Sequence, residues 1–145
     1  QEGARLVLSG DISDDPLDCF YPPTIFDQVS PDMAVAKEEV FGPVLSVMTF
    51  KTEEEAIRIA NDSDFGLMAN IWSTDGTRAL RVARELQAGR ISINGGGYLR
   101  PNVPIYGYKK SGFGAELGFI EAAHEFCNSK SVIYSLATEK SPWPE

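Results

Sequence analysis

Val44-Leu45-Ser46-Val47-Met48-Thr49-Phe50 is the stretch from which the fold can be read. Its residues are mostly apolar rather than alternating, the pattern of a strand covered on both faces. A helical period follows it. Thr52 can cap a helix, with Glu55 three residues on completing a capping box, and Ala56, Ile59 and Ala60 fall at i, i+3 and i+4 on one face. Asn61 to Phe65 ends that helix, and Gly66 lets the backbone turn. Met68-Ala69-Asn70-Ile71-Trp72-Ser73 reads as a second strand. Asp75 then caps a second helix with Ala79, Leu80, Val82, Ala83 and Leu86 inward, and Gly89 stands where a C′ glycine belongs. Arg90-Ile91-Ser92-Ile93-Asn94 is a third strand. Three strands joined by two helices make a βαβαβ unit with right-handed crossovers and a parallel sheet. The predicted fold class is therefore α/β.

Working outward, the chain before this unit is irregular. Ala4 to Leu8 is a short strand closed by Ser9-Gly10, and Asp11 to Asp18 is an acidic, turn-rich loop. Tyr21-Pro22-Pro23-Thr24-Ile25-Phe26 is extended, because paired prolines forbid a helix and Thr-Ile-Phe favours a strand. Met33 to Glu39 has room for one or two helical turns. Lys37-Glu38-Glu39-Val40-Phe41-Gly42-Pro43 then sets two carboxylates and an aromatic ring beside a Gly-Pro break, at the mouth of the first apolar strand. Strand mouths are where α/β sheets bind ligands. Taken alone, though, a Glu pair is usually a solvated turn and a Phe usually core.

After the unit, Gly95 to Gly114 is a long loop with Pro101 and Pro104, and long loops of this kind are usually functional or disordered. Glu116 to Phe126 reads as a short helix with Leu117, Ile120, Ala123 and Phe126 apolar. Ser131 to Leu136 makes a last strand with no partner adjacent in sequence, and Ala137 to Glu145 is a polar tail.

Composition narrows the function classes. The 145 residues fit one domain or a piece of a larger protein, and 43% apolar with 23% charged residues suits a chain that buries a core. Asp+Glu 21 against Lys+Arg 13 gives a net charge of -8. With no basic cluster to neutralise phosphates, nucleic acid and anionic membrane surfaces are poor partners. No apolar run reaches the roughly 18 residues of a membrane span. The chain opens Gln1-Glu2-Gly3 with neither an initiator Met nor a signal peptide, which raises the expectation of a fragment or processed product. Cys19 and Cys127 are too few for a disulfide framework, and with one His they make no metal cluster, so reduced thiols in the cytoplasm are expected.

The residues offer little catalytic chemistry of their own. His124 lies on the last predicted helix without a nucleophile motif nearby. Cys19 sits among Asp14, Asp15 and Asp18, which raise rather than lower a thiol pKa, and Cys127 follows His124 at a spacing that fits no activating arrangement. The triple glycine Gly95-Gly96-Gly97 follows a strand, but no G-x-G-x-x-G and no Lys-Ser/Thr pair accompanies it. No catalytic residue and no metal ligand is assigned.

The joint pattern is more specific than its parts. Glu38-Glu39-Val40-Phe41-Gly42-Pro43-Val44, then Ile93-Asn94, then Lys109-Lys110-Ser111-Gly112-Phe113-Gly114 and Glu116-Leu117-Gly118 closely resemble the C-terminal part of NAD(P)-dependent aldehyde dehydrogenases. Pro23-Thr24-Ile25-Phe26 and Asn61-Asp62 with Phe65-Gly66-Leu67 fit as well, so the resemblance covers nearly the whole chain. It implies that Glu39 accepts hydrogen bonds from the ribose hydroxyls beside the nicotinamide of NAD or NADP, that Phe41 packs near the ring, and that Leu67 lines that end of the tunnel. The chemistry agrees: an ionised carboxylate accepts from two vicinal hydroxyls, and an aromatic face positions a flat ring. Leu99 and Ile105 become candidate contacts for the aldehyde substrate.

The resemblance also implies that residues 1–126 are an incomplete catalytic domain, a partial parallel βαβαβ sheet, and that 127–145 carry an oligomerisation strand and tail through which a homodimer or homotetramer forms. The family's Cys nucleophile, Glu base and Rossmann half fall outside the matched region, so the chain alone is expected to be inactive. Tyr106-Gly107-Tyr108-Lys109 departs from the usual Gly-Gly before the tunnel-loop Lys, and Ala115 stands where Arg is usual. An alternative from a different class is a non-catalytic oligomerisation module derived from the same fold.

Overall fold

A computed structural model describes residues 2–11, 19–96 and 100–134. In chain order it contains β1 (Arg5–Leu8), β2 (Thr24–Asp27), α1 (Ala34–Lys37), β3 (Val44–Ser46), α2 (Glu53–Asn61), β4 (Phe65–Gly66), β5 (Met68–Ile71), α3 (Gly76–Glu85), β6 (Arg90–Ile93), β7 (Ile105–Tyr106), β8 (Tyr108–Lys109), β9 (Ala115–Glu116) and α4 (Phe119–Phe126). This is a mixed α/β architecture of small sheets. The local signals that start α2 and α3 are real. Thr52 Oγ1 accepts from the Glu55 N–H at 3.2 Å, and Asp75 Oδ1 accepts from the Arg78 N–H at 3.0 Å. The Glu55 carboxylate reaches one residue past the cap, accepting from the Lys51 N–H at 2.8 Å, and so ties the entering chain to the helix's first turn in place of the cap N–H that a capping box pairs.

Strand partnership differs from the sequence reading. β5 and β6 pair in parallel through α3, from Met68 opposite Arg90 to Ile71 opposite Ile93. β3 instead pairs in parallel with β2, Thr24 opposite Val44 and Phe26 opposite Ser46, and β1 adds to β2 antiparallel. Among the described residues β3 and β5 thus belong to different sheets. A space of about 970 Å³ between them is lined by Ser46, Met48, Phe50, Asn70, Ile71 and Trp72. Hydrophobic period identifies a strand but not its neighbour, because pairing is decided by contacts distant in sequence.

Further expectations are corrected. α3 ends at Glu85 with an extended Leu86 as its C-cap, so Gly89 is no C′ residue. Leu80, placed inward by period, is 56% exposed, while Ala79 on the same helix is fully buried. The last helix begins at Phe119, because Ala115–Glu116 is drawn into an antiparallel pair with Tyr106 and Ile105. Ser131 to Tyr134, the described part of the expected last strand, has no strand assignment; its remainder and the tail lie outside the described residues.

The core that composition allows is scarcely formed among the described residues. Among the described residues only Val29 and Ala79 are buried apolar side chains. The chain presents 12214 Å² of accessible surface, against roughly 7,400 Å² for a compact monomer of this mass. Phe113, Phe119, Phe126, Val132, Ile133 and Tyr134 all stand largely in solvent.

Candidate functional site

The Glu-Glu-Val-Phe-Gly-Pro stretch and the α2 exit meet at one open cavity of about 650 Å³. Its walls come from four places, one of them the α3 exit with Leu86, Gln87 and Ala88. α1 and its continuation supply Ala36, Lys37, Glu38 and Glu39; the segment from α2 into β5 supplies Asn61, Ser63, Phe65, Gly66, Leu67 and Met68; and the turn after β8 supplies Lys110 and Ser111. Glu39 and Leu67, far apart in sequence, therefore share one cavity. Glu39 is exposed and joins none of the ion pairs among the described residues, so its oxygens are open to a ligand's hydroxyls.

Phe41 stands apart from that lining. Its φ of 49° is left-handed, a conformation costly for an aromatic residue, and its ring is 93% exposed. Ile105 lies on β7 against Glu116 and does not line the cavity. Leu99 lies outside the described residues.

The wall carrying Leu67 is held by distant groups. The Gly66 N–H donates to Ser111 Oγ at 2.9 Å, and Phe65–Gly66 pairs antiparallel with Tyr108–Lys109. The Gly89 N–H donates to the Gly66 carbonyl at 3.0 Å and the Arg90 N–H to that of Leu67 at 3.1 Å. A Cβ on Gly66 would lie 2.4 Å from the Gln87 carbonyl oxygen, so only glycine lets these backbones pass. Lys110 bonds Asp64 and holds its carboxyl below the usual carboxylate range, chiefly through that hydrogen bond and then through its charge. Asn61, Lys109 and Ser111 carry much of this geometry, yet sequence reading gave them no role. The signal was present in the Lys109-Lys110-Ser111 motif, but its partners are 45 residues or more away.

Strand ends and helix exits thus surround a cavity with an apolar wall and an open carboxylate, the kind of place where α/β folds bind small ligands. Comparison with known proteins makes the class specific. The sequence model of the aldehyde dehydrogenase family matches residues 1–132. The betaine aldehyde dehydrogenase of Cereibacter sphaeroides (strain ATCC 17029) is 44% identical over 98% of this chain and 29% of its own length. Succinate semialdehyde dehydrogenase [NAD(P)+] of Escherichia coli K12 is 44% identical over 90% of this chain and 28% of its own. The crystal structure of an NAD-dependent aldehyde dehydrogenase from Sinorhizobium meliloti superposes with a TM-score of 0.86 at 45% identity, over 97% of this chain and 28% of that one. Betaine aldehyde dehydrogenase from Staphylococcus aureus in complex with NAD+ gives 0.87 at 37% identity, over 99% and 29%. The chain belongs to the aldehyde dehydrogenase family. It spans less than a third of the length of these relatives.

Proposed function

We propose that this chain forms the nicotinamide-end wall of an enzyme that oxidises an aldehyde to a carboxylic acid with NAD or NADP. The observation that carries the reading is the shared cavity of Glu39 and Leu67. The residues suit such a cofactor: a carboxylate without an ion-pair partner for vicinal hydroxyls, and Phe65, Leu67 and Met68 as an apolar wall for a flat ring. The nicotinamide, when bound, accepts the hydride that leaves the aldehyde carbon.

In this reading Glu39 accepts from the ribose hydroxyls and fixes the ring's height. Leu67 keeps water from its face, and Phe41, with its ring already projected, closes over it from the loop. Leu99 and Ile105 contact the aldehyde. Cys19 and Cys127 are exposed and neither lines the cavity, so the nucleophilic thiol comes from elsewhere in the whole protein. Residues 1–126 then belong to the catalytic domain. Residues 127–145 carry an oligomerising strand. Two exposed thiols suit the reducing cytoplasm.

In a full-length aldehyde dehydrogenase carrying this segment, Glu39→Gln should slow hydride transfer and weaken cofactor binding, by about tenfold if one charge-assisted bond is weakened. Rapid-mixing measurement of reduced-nicotinamide absorbance, with cofactor titration, reads both. Unchanged values would remove Glu39 from the site. They would also favour a second reading, a non-catalytic assembly module, which the uncovered apolar face of α4 supports.

A further inference from the structure

The segment from Asn61 to Leu67 leaves α2 and becomes the cavity wall, and one side chain grips it from 48 residues away. Lys109 Nζ donates to the carbonyl oxygens of Asn61 at 2.7 Å and Ser63 at 2.8 Å. Asn61 is the last residue of α2 and Ser63 lies just past its cap, so both carbonyls sit at the helix end where intrahelical donors run out and the dipole favours a cation. The same Asn61 ties α2 to the exit of α3: its Nδ2 donates to the Glu85 carbonyl and its Oδ1 accepts from the Gln87 N–H, both at 2.8 Å. Lys109 itself sits at φ 54°, in the left-handed region. A side-chain-bearing residue persists there only where its surroundings over-determine it.

We propose that Lys109 is a positioning residue for the reaction. By holding the Asn61 and Ser63 carbonyls it sets the path of Ser63 to Leu67, and so the distance between Leu67 and Glu39 across the cavity. The inference rests on the reading of that cavity as the nicotinamide end. It predicts a split in the kinetics: the ring is misplaced relative to the aldehyde, while aldehyde binding is not.

The test uses a full-length aldehyde dehydrogenase carrying this segment, with Lys109→Met, Lys109→Arg and Arg81→Met compared. Arg81 bonds Glu53 near the start of α2, so its removal loosens α2 without touching the Asn61–Leu67 path. Lys109→Met should slow single-turnover hydride transfer about tenfold, with the aldehyde KM within about twofold, as a small misplacement of reacting groups does. Lys109→Arg should recover most of the rate, because a guanidinium can donate to both carbonyls. Arg81→Met should leave hydride transfer near wild type. The proposal is overturned if Lys109→Met is no slower than Arg81→Met at a matched fall in Tm, or if Lys109→Arg is as slow as Lys109→Met. Glu39→Gln and Leu67→Ala in the same assay separate the two levels. If they slow transfer and Lys109→Met does not, Lys109 alone loses its role. If none of the three slows it, the cofactor reading falls and takes this proposal with it.

Discussion

Gly89 shows how much a single position can decide. A Cβ there would stand 1.8 Å from the Tyr106 carbonyl oxygen and 2.6 Å from its carbon, both backbone atoms that cannot rotate away. This is where the strand leading into β6 passes under β7, and the pass also fixes the Gly89-to-Gly66 hydrogen bond that supports the Leu67 wall. Gly89→Ala should therefore cost about 3 kcal/mol or more, the upper range of overpacking, read as a lowered urea midpoint of the full-length enzyme. A loss under about 0.5 kcal/mol, the scale of a neutral surface change, would show that the pass relaxes freely. Sequence reading put Gly89 at the C′ position of a helix; the structure makes it a point of close backbone approach instead. Helix capping is a local signal, and the carbonyl it actually accommodates is contributed from a remote stretch. Phe41 is a parallel case: its residue type was legible, its left-handed backbone was not.

Among elements, the packing of α2 on α3 carries the clearest electrostatic signature. Arg81 donates to Glu53 through Nε at 2.7 Å and Nη2 at 2.8 Å, with Arg78 Nε 3.5 Å away. The Arg81 hydrogen bond holds the Glu53 carboxyl below its ordinary 4.5, desolvation opposes it, and the charges of Arg81 and Arg78 assist. A carboxyl depressed in the folded state contributes stability above its unfolded pKa and loses it as pH falls through the folded value. Between about pH 5 and 3, the unfolding midpoint of the wild-type full-length enzyme should drop more steeply than that of Glu53→Gln. Equal slopes would mean the pair is solvated in solution. These helices were legible because caps and period lie within a few residues of each other. Their cross-links were not, since nothing in the local pattern of Glu53 points to Arg81.

At the scale of the whole molecule, apolar surface outruns what these residues cover themselves. Phe113, Phe119 and Phe126 are almost wholly in water, and the described core reduces to Val29 and Ala79. Exposed aromatic surface on this scale marks faces made to be covered. The thiol and the remaining cofactor-binding surface that the proposed reaction needs are likewise outside the cavity described here. Purified 145-residue chain incubated with NAD and an aldehyde panel should therefore form no reduced nicotinamide above a no-protein blank. It should also bind a fluorescent apolar dye strongly. Enzymatic turnover by the isolated chain would overturn the assignment of the nucleophile to another part of the protein.

The sequence by itself determined the α/β class, the caps at Thr52 and Asp75, and the family, since each depends on residue types at short, ordered spacings. Only the tertiary structure decided that β3 joins β2 rather than β5. It left Phe41 and Ile105 off the walls of the cavity that Glu39 and Leu67 share, and it alone gave Lys109 the carbonyls of Asn61 and Ser63. The physical reason is the same in each case. These outcomes rest on backbone pairings and side-chain reaches between residues distant in sequence, for which a linear pattern of polarity carries no address.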